Sequence, residues 1–167
     1  GRRRRLGGRR GAMAAEAARG GGGAGSGAEF QAVVLANGFM REMFPLCEDS
    51  PASLLPVANR PLLAFQLDLL EKAGFTEALV LCEESAAEAI RGYVEARRGK
   101  IRVDMVGCAE DAGTAAMLRD VRDRITRDFI VISGDLVTEG SIHHLADVHR
   151  IRDATCTMLL KEVPTGE

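Results

Sequence analysis

Residues 47–63 read CEDSPASLLPVANRPLL, and this stretch runs without a break into PLLAFQLDLLEK at residues 61–72. Pro61 stands where a helix often begins, Gly74 follows as a stop signal, and the apolar spacing between them predicts a helix over residues 61–72. A loop that leads into a helix in this way is typical of phosphate-binding sites. Beyond its first three residues, however, Arg60 is the only charge in the stretch. The pattern predicts the scaffold of such a site without its charges.

Five apolar runs alternate with segments of helical periodicity along the chain. The runs that predict strands are FQAVVLA at 30–36, EALVLC at 77–82, KIRVDMV at 100–106, FIVIS at 129–133 and TCTMLL at 155–160. The helical segments are 61–72, 85–97, 114–125 and 142–152. The third run alternates polar and apolar residues, which predicts an edge or half-exposed strand. Apolar strands that alternate with helices predict an α/β fold, doubly wound, with a mostly parallel sheet covered on both faces.

Charge is unevenly distributed along the chain. Residues 1–28 carry seven Arg and one Glu, a net charge of +6, and are otherwise mostly Gly and Ala, so they are predicted to be a disordered tail. Residues 29–167 carry fifteen Lys or Arg and twenty-three Asp or Glu, a net charge of −8. An acidic folded part argues against direct nucleic-acid binding, because phosphate backbones bind to basic surfaces.

Cysteine spacing, histidine spacing and hydropathy argue against three further classes of protein. The four Cys residues show no C-x-x-C and no ligand-like pair, so we expect reduced thiols in a cytosolic protein. His143, His144 and His149 share a predicted helix but form no metal-binding pattern, which favours a solvated helix face. No apolar run approaches the roughly 20 residues needed to cross a bilayer, so no membrane is expected among the partners.

Polar residues at the start of two helices predict caps. Ser85 and Glu88 have the spacing of a capping box, in which the hydroxyl and the carboxylate satisfy the first backbone N–H groups. Thr114 or Asp111 is placed to cap the following helix. A purely structural cap therefore stays open as one interpretation of Thr114.

Three loops follow predicted strands, and ligands of parallel sheets bind at that end of the strands. After the first strand, Gly38 permits close approach of the backbone to a ligand, and Asn37 tolerates a positive φ. Gly113, just ahead of Thr114, permits the same approach at the third helix. Asp135 in the SGD sequence is placed to bind Mg²⁺ if a nucleotide supplies the other oxygens. Each loop taken alone is equally well explained by a tight turn or a cap.

In combination these motifs are more specific. The segments EFQAVVLA, PASLLPVANRPLL, GTAAMLR and VISGDLVTE resemble the sugar-phosphate nucleotidyltransferase superfamily. Within it they most resemble the family of gamma subunits of eukaryotic translation initiation factor 2B. The resemblance covers residues 29–161 and implies a Rossmann-like, GT-A-like nucleotidyltransferase fold. Family members continue further, so residues 29–167 are expected to be the N-terminal part of such a domain, truncated at its C-terminus.

The resemblance also assigns catalytic positions. In active members a glycine-rich loop, an Arg and a Lys hold a nucleoside triphosphate, an Asp binds Mg²⁺, and a sugar phosphate attacks the α-phosphate. Here Glu42 falls at the Arg position and Ala52 at the Lys position, while Asn37, Gly38 and Met40 fall at the loop glycines. The chain thus lacks two cations and gains a carboxylate. Losing one transition-state donor typically costs about 10²–10³ in rate.

No pyrophosphorylase activity, no catalytic residue and no cofactor is therefore expected. Asn37, Gly38, Gly113 and Thr114 are expected to form a vestigial nucleotide-binding site, and Asp135 is a vestigial candidate metal ligand. The resemblance implies a non-catalytic subunit of the initiation factor 2B complex in the cytosol. Its implied partners are the epsilon subunit, the other subunits of that complex and translation initiation factor 2, whose exchange of GDP for GTP it supports.

Two other functions stay open at this point, as does the distinction between a gamma and an epsilon subunit. One is an active sugar-1-phosphate nucleotidyltransferase, such as a mannose-1-phosphate guanylyltransferase with an unusual loop. The other is a module that binds nucleotides without reacting with them. The Arg and Lys positions distinguish the first of these from the subunit, because fold alone does not decide function.

Overall fold

The computed structural model describes residues 29–36, 45–48, 50–110 and 112–160. The predictions for the tail 1–28, and for the loop residues Asn37, Gly38, Met40 and Glu42, lie outside the described residues, as does the alternative cap Asp111.

The described chain contains six strands and four helices. The strands are β1 Gln31–Leu35, β2 Pro56–Val57, β3 Arg60–Pro61, β4 Glu77–Glu83, β5 Arg102–Cys108 and β6 Phe129–Ser133. The helices are α1 Leu62–Lys72, α2 Glu84–Ala96, α3 Thr114–Asp120 and α4 Ile142–Arg152. Single 3₁₀ turns cover Ala52–Leu54 and Arg122–Arg124.

Four of these strands form one parallel sheet in the order β5-β4-β1-β6. Its centre is apolar on both sides, and Val33, Val34 and Val80 are 0% exposed. Burial of each such side chain contributes roughly 1.5–3 kcal/mol. Side chains of α1, α2 and α4 pack on one face, whereas Met117 of α3 and the adjoining Val121 pack on the other. The predicted α/β class, the mostly parallel sheet and the edge position of β5 are confirmed.

Helix α1 matches its prediction, and the chain enters it through a feature that was not predicted. Strands β2 and β3 form a small antiparallel hairpin. Ala58 and Asn59 make its turn with φ of 48° and 64°, as a tight two-residue hairpin requires. Helix α1 ends before Gly74, whose φ is 83°.

Two predicted helix caps are wrong. Helix α2 begins at Glu84 and its N-cap position is Glu83, with no side-chain hydrogen bond, so Ser85 and Glu88 form no capping box. The reason is that β4 runs through Glu83 directly into the helix, which leaves no loop in which Ser85 could stand as N-cap. At α3 the N-cap position is Gly113, again without a side-chain bond, so Thr114 is the first helical residue and not a cap.

The predicted strand over residues 155–160 is also wrong. No strand forms there, and Met158, Leu159 and Leu160 are 71%, 69% and 79% exposed. An apolar run becomes a strand only when a neighbour pairs with its backbone, and within the described chain β6 pairs with β1 alone.

Helix α3 is shorter than predicted as well, because it ends at Asp120 and a 3₁₀ turn follows.

Helix α4 fixes the start of β1. The Arg150 Nε donates to a carboxylate oxygen of Glu29 at 2.7 Å, and its guanidinium carbon lies 5.6 Å from the ring centroid of Phe30. The ring of His149 meets the same Phe30 edge-on, with centroids 5.9 Å apart. These contacts hold the residues just ahead of β1 at the amino end of the sheet.

Candidate functional site at the carboxyl edge of the sheet

The carboxyl ends of the parallel strands form one edge, which carries those predicted site residues that the structure describes, namely Gly113, Thr114 and Asp135. Leu35 at the end of β1 pairs with Ser133 at the end of β6, so the loop after β1 begins beside the turn that holds Asp135. Gly113 and Thr114 follow β5, which lies three strand spacings from β6, or about 14 Å. The fold therefore places the described candidates on one edge without bringing Asp135 against Gly113.

Gly134 is required by the packing of this edge. A Cβ on Gly134 would lie 2.5 Å from the Leu35 carbonyl oxygen and 3.1 Å from the Ala36 Cα. Only glycine allows so close an approach of two backbones. The turn closes where the Leu136 N–H donates to the Ser133 carbonyl at 3.1 Å. Asp135 lies in this turn and is exposed.

Two buried polar side chains near this edge were missed by the sequence analysis. Gln66 of α1 is 0% exposed, and its Nε2 donates to the Leu136 carbonyl at 2.7 Å. Ser53 is 4% exposed and belongs to the 3₁₀ turn that packs against α1. The Gln66 Oε1 and the Ser53 Oγ have no hydrogen-bond partner among the described residues. The available signal was a Gln inside the apolar pattern of PLLAFQLDLLEK.

Ala52, which the resemblance assigns to the Lys position, lies just ahead of the hairpin. Ala52 is 5% exposed, at the start of the 3₁₀ turn. The Leu62 N–H donates to the Leu55 carbonyl at 3.1 Å, which ties the entry of α1 to the residue before the hairpin. A methyl group therefore stands where the resemblance assigns a phosphate-binding ammonium group.

An ion-pair network anchors the same hairpin to both neighbouring helices. Arg60 of β3 pairs with Asp68 of α1, and its guanidinium lies 4.9 Å from the ring centroid of Phe65. Arg97, at the end of α2, donates to Asp68 at 2.7 Å and to Glu71 at 2.8 Å. Burial is the largest single effect and would raise the pKa values of Asp68 and Glu71, but the combined hydrogen bonds and charges around them lower both. These come from Arg97 and Arg60 at Asp68, and from Arg97 and the backbone N–H groups of residues 100 and 101 at Glu71. Both carboxylates therefore stay ionised near neutral pH.

The described loops of this edge are acidic. The described residues between β5 and α3 and between β6 and α4 include Glu110, Asp135 and Glu139, and contain no Lys or Arg. Carboxylates at this position repel the phosphates of a nucleotide, since like charges in one crevice disfavour binding.

Among the described residues, no group of three or more His, Cys, Asp or Glu side chains is arranged to hold a metal ion. Asp135 therefore belongs to no such group in that part of the chain. Burial raises the pKa of the Cys82 thiol to about 11, which keeps it protonated at neutral pH. The helices in this part of the chain are all too short or too polar to cross a membrane.

Known proteins resemble this chain in sequence. The sequence profile of the family described as nucleotidyl transferase matches residues 31–167. Translation initiation factor eIF2B subunit gamma of Dictyostelium discoideum is 37% identical over 143 residues, which are 80% of this chain and 32% of that protein. Translation initiation factor eIF2B subunit epsilon of Schizosaccharomyces pombe is 33% identical over 144 residues, which are 79% of this chain and 21% of that protein. This chain spans a third or less of the length of these relatives.

A solved structure shares the fold at lower identity. HddC of Yersinia pseudotuberculosis matches with a TM-score of 0.63 and 21% identity, over 72% of this chain and 54% of that chain. At that identity the likeness concerns the fold alone. It agrees with the parallel sheet and flanking helices described above.

Proposed function

This chain belongs to the nucleotidyl transferase family, and on that premise we propose that it acts as a non-catalytic subunit of a translation initiation factor 2B complex. In that role it supports the exchange of GDP for GTP on translation initiation factor 2. Its partners are an epsilon-type subunit and the other subunits of the complex, and it acts in the cytosol. The family likeness supplies the domain, and the proposal concerns its use.

The observation that carries this proposal is the 37% identity to an initiation factor 2B gamma subunit across 80% of this chain. Identity to an epsilon subunit is lower, at 33% over a similar length. Because the chain spans only part of either relative, assembly with other subunits is inferred from the shared domain. A gamma-type subunit is the better match of the two.

The edge of the sheet supports the non-catalytic part of the proposal. Catalysis of nucleotidyl transfer depends on cations that neutralise the phosphates, and one such donor is typically worth about 10²–10³ in rate. Ala52 supplies no cation at the Lys position, and the described loops of the edge contribute carboxylates instead. Glu42, at the expected Arg position, would add a further negative charge.

The alternative is an active sugar-1-phosphate nucleotidyltransferase. Family membership and the shared fold are as compatible with this enzyme as with the non-catalytic subunit. The two functions differ in one assay. The purified full-length protein that contains this chain, incubated with GTP or ATP, a sugar 1-phosphate and Mg²⁺, is expected to release no pyrophosphate above background. Turnover at rates ordinary for the superfamily would refute the non-catalytic assignment and favour the enzyme.

Association provides the direct test of the subunit assignment. The chain and an epsilon-type subunit are co-expressed with a tag on one partner only, and a bacterial sugar nucleotidyltransferase of the same fold replaces the epsilon-type subunit as the control. We expect the chain to co-purify with the epsilon-type subunit and not with the control. Absence of association in both samples, or equal recovery from both, would contradict the proposal.

A further inference from the structure

Gln66 is a polar residue in a position where packing alone favours an apolar one. It lies in the second turn of α1, it is 0% exposed, and its neighbours Leu63, Leu67 and Leu70 are equally buried. Its Oε1 has no hydrogen-bond partner in the described part of the chain. A buried acceptor that loses water without gaining a donor costs free energy. Apolar packing therefore does not account for an amide at this position.

What the amide provides is one bond to the edge of the sheet. Its Nε2 donates to the Leu136 carbonyl at 2.7 Å, across a sequence separation of 70 residues. Leu136 directly follows Asp135 and closes the turn through its own N–H bond to Ser133 at 3.1 Å. The bond from Gln66 thus joins helix α1 to the turn that carries the exposed carboxylate.

We propose that Gln66 is a positioning residue that fixes the Asp135 turn against α1 in the absence of any bound ligand. The turn is attached on two other sides, by the close packing of Gly134 on the end of β1 and by its own internal bond. The first holds the start of the turn, and the second ties Leu136 back to Ser133. The bond from Gln66 attaches the same Leu136 to helix α1, so that Asp135 between these points is held in a preorganised position.

Two substitutions separate this role from a general contribution to stability. Gln66→Met keeps the length and volume of the side chain, removes the unpaired acceptor and removes the donor to Leu136. Leu70→Val removes a methylene group one turn further along the same buried face and leaves the bond intact. The readout is hydrogen exchange of the Leu136 amide in the full chain, followed by nuclear magnetic resonance and compared with the amides of the central strand β1.

In Gln66→Met the exchange rate of the Leu136 amide is expected to increase about tenfold or more, while the rates of the β1 amides change little. The reason is that the turn then opens locally more often, without global unfolding. In Leu70→Val both sets of amides should accelerate together or not at all. Unchanged exchange at Leu136 in Gln66→Met, or equal acceleration of Leu136 and β1 in that variant, would overturn the proposal. This result does not depend on subunit association, so it is decided separately from the proposed function.

Discussion

Replacing Arg97 by Met tests whether the ion-pair network holds the hairpin entry in place. The Arg97 side chain is 12% exposed, and its two carboxylate partners, Asp68 and Glu71, are 34% and 24% exposed. Arg97→Met keeps most of the apolar stem and leaves both carboxylates partly buried without their shared donor. Losing a donor to partly buried charged acceptors costs about 1–3 kcal/mol of the free energy of unfolding. We expect a loss within that range in urea unfolding at pH 7.

Arg102→Met is the matched control, because its ion pair has the same length in a different environment. Arg102 donates to Glu77 at 2.7 Å, but the two side chains are 80% and 48% exposed. Exposed pairs contribute little, since water solvates both charges and salt screens them. The control is expected to unfold at nearly the wild-type urea concentration. If the two variants lost equal stability, burial would not be the reason for the effect.

The same network sets a pH dependence. The pKa values of Asp68 and Glu71 are lowered in the folded state from ordinary values of 3.8 and 4.5. A carboxylate with a lowered pKa stabilises the fold above its ordinary pKa, and that contribution is lost as the pH falls through the folded value. The stability difference between wild type and Arg97→Met should therefore be constant near neutral pH and shrink below about pH 4.5. A difference that grew on acidification would refute this account.

Three further substitutions test local packing by urea unfolding. Gly134→Ala should cost about 1–3 kcal/mol, because its Cβ would overlap the backbone of β1. Gly113→Ala, where nothing lies within 4 Å, should cost less, up to about 1 kcal/mol, because Ala is a poorer N-cap residue than Gly. Equal losses would contradict the close-packing argument. Ser53→Ala should be neutral or stabilising by up to about 1 kcal/mol, since it removes a buried hydroxyl without a partner, and a clear destabilisation would show that the hydroxyl is satisfied. Ala58→Gly should stabilise by about 0.5 kcal/mol, because Gly relieves the positive φ of 48°. The greater entropy of Gly in the unfolded chain offsets part of this gain. A loss of stability would argue against strain at this turn.

Elements with strong local signals were predictable from the sequence. Helix α1 was predicted to within one residue, because Pro61 and Gly74 mark both ends and the apolar spacing between them is regular. Strands β1 and β4 were predictable because burial on both faces leaves an apolar run that no other local structure explains. The edge position of β5 was predicted from alternation, which reports exposure of one face.

Features that depend on tertiary neighbours were not predictable in this way. Residues 155–160 have strand-like composition, but pairing decides whether a strand forms, and composition does not contain that information. Ser85 has the correct spacing for a capping box, yet its role depended on where β4 ends. The bond from Gln66 to Leu136 spans 70 residues, so nothing local to either residue indicates it. At the candidate site, the structure gives the positions of Ala52, Gly113, Thr114 and Asp135. Their functional roles stay predictions.

The attachment of Arg150 to Glu29 and Phe30 has a practical consequence for measurements on this chain. These contacts hold residue 29 at the amino end of β1, and the five residues of that strand separate it by about 17 Å from the opposite edge. A fluorophore coupled close to residue 29 is therefore attached at the amino end of the sheet, which faces away from the Asp135 turn. A label at this end leaves the carboxyl edge of the sheet free.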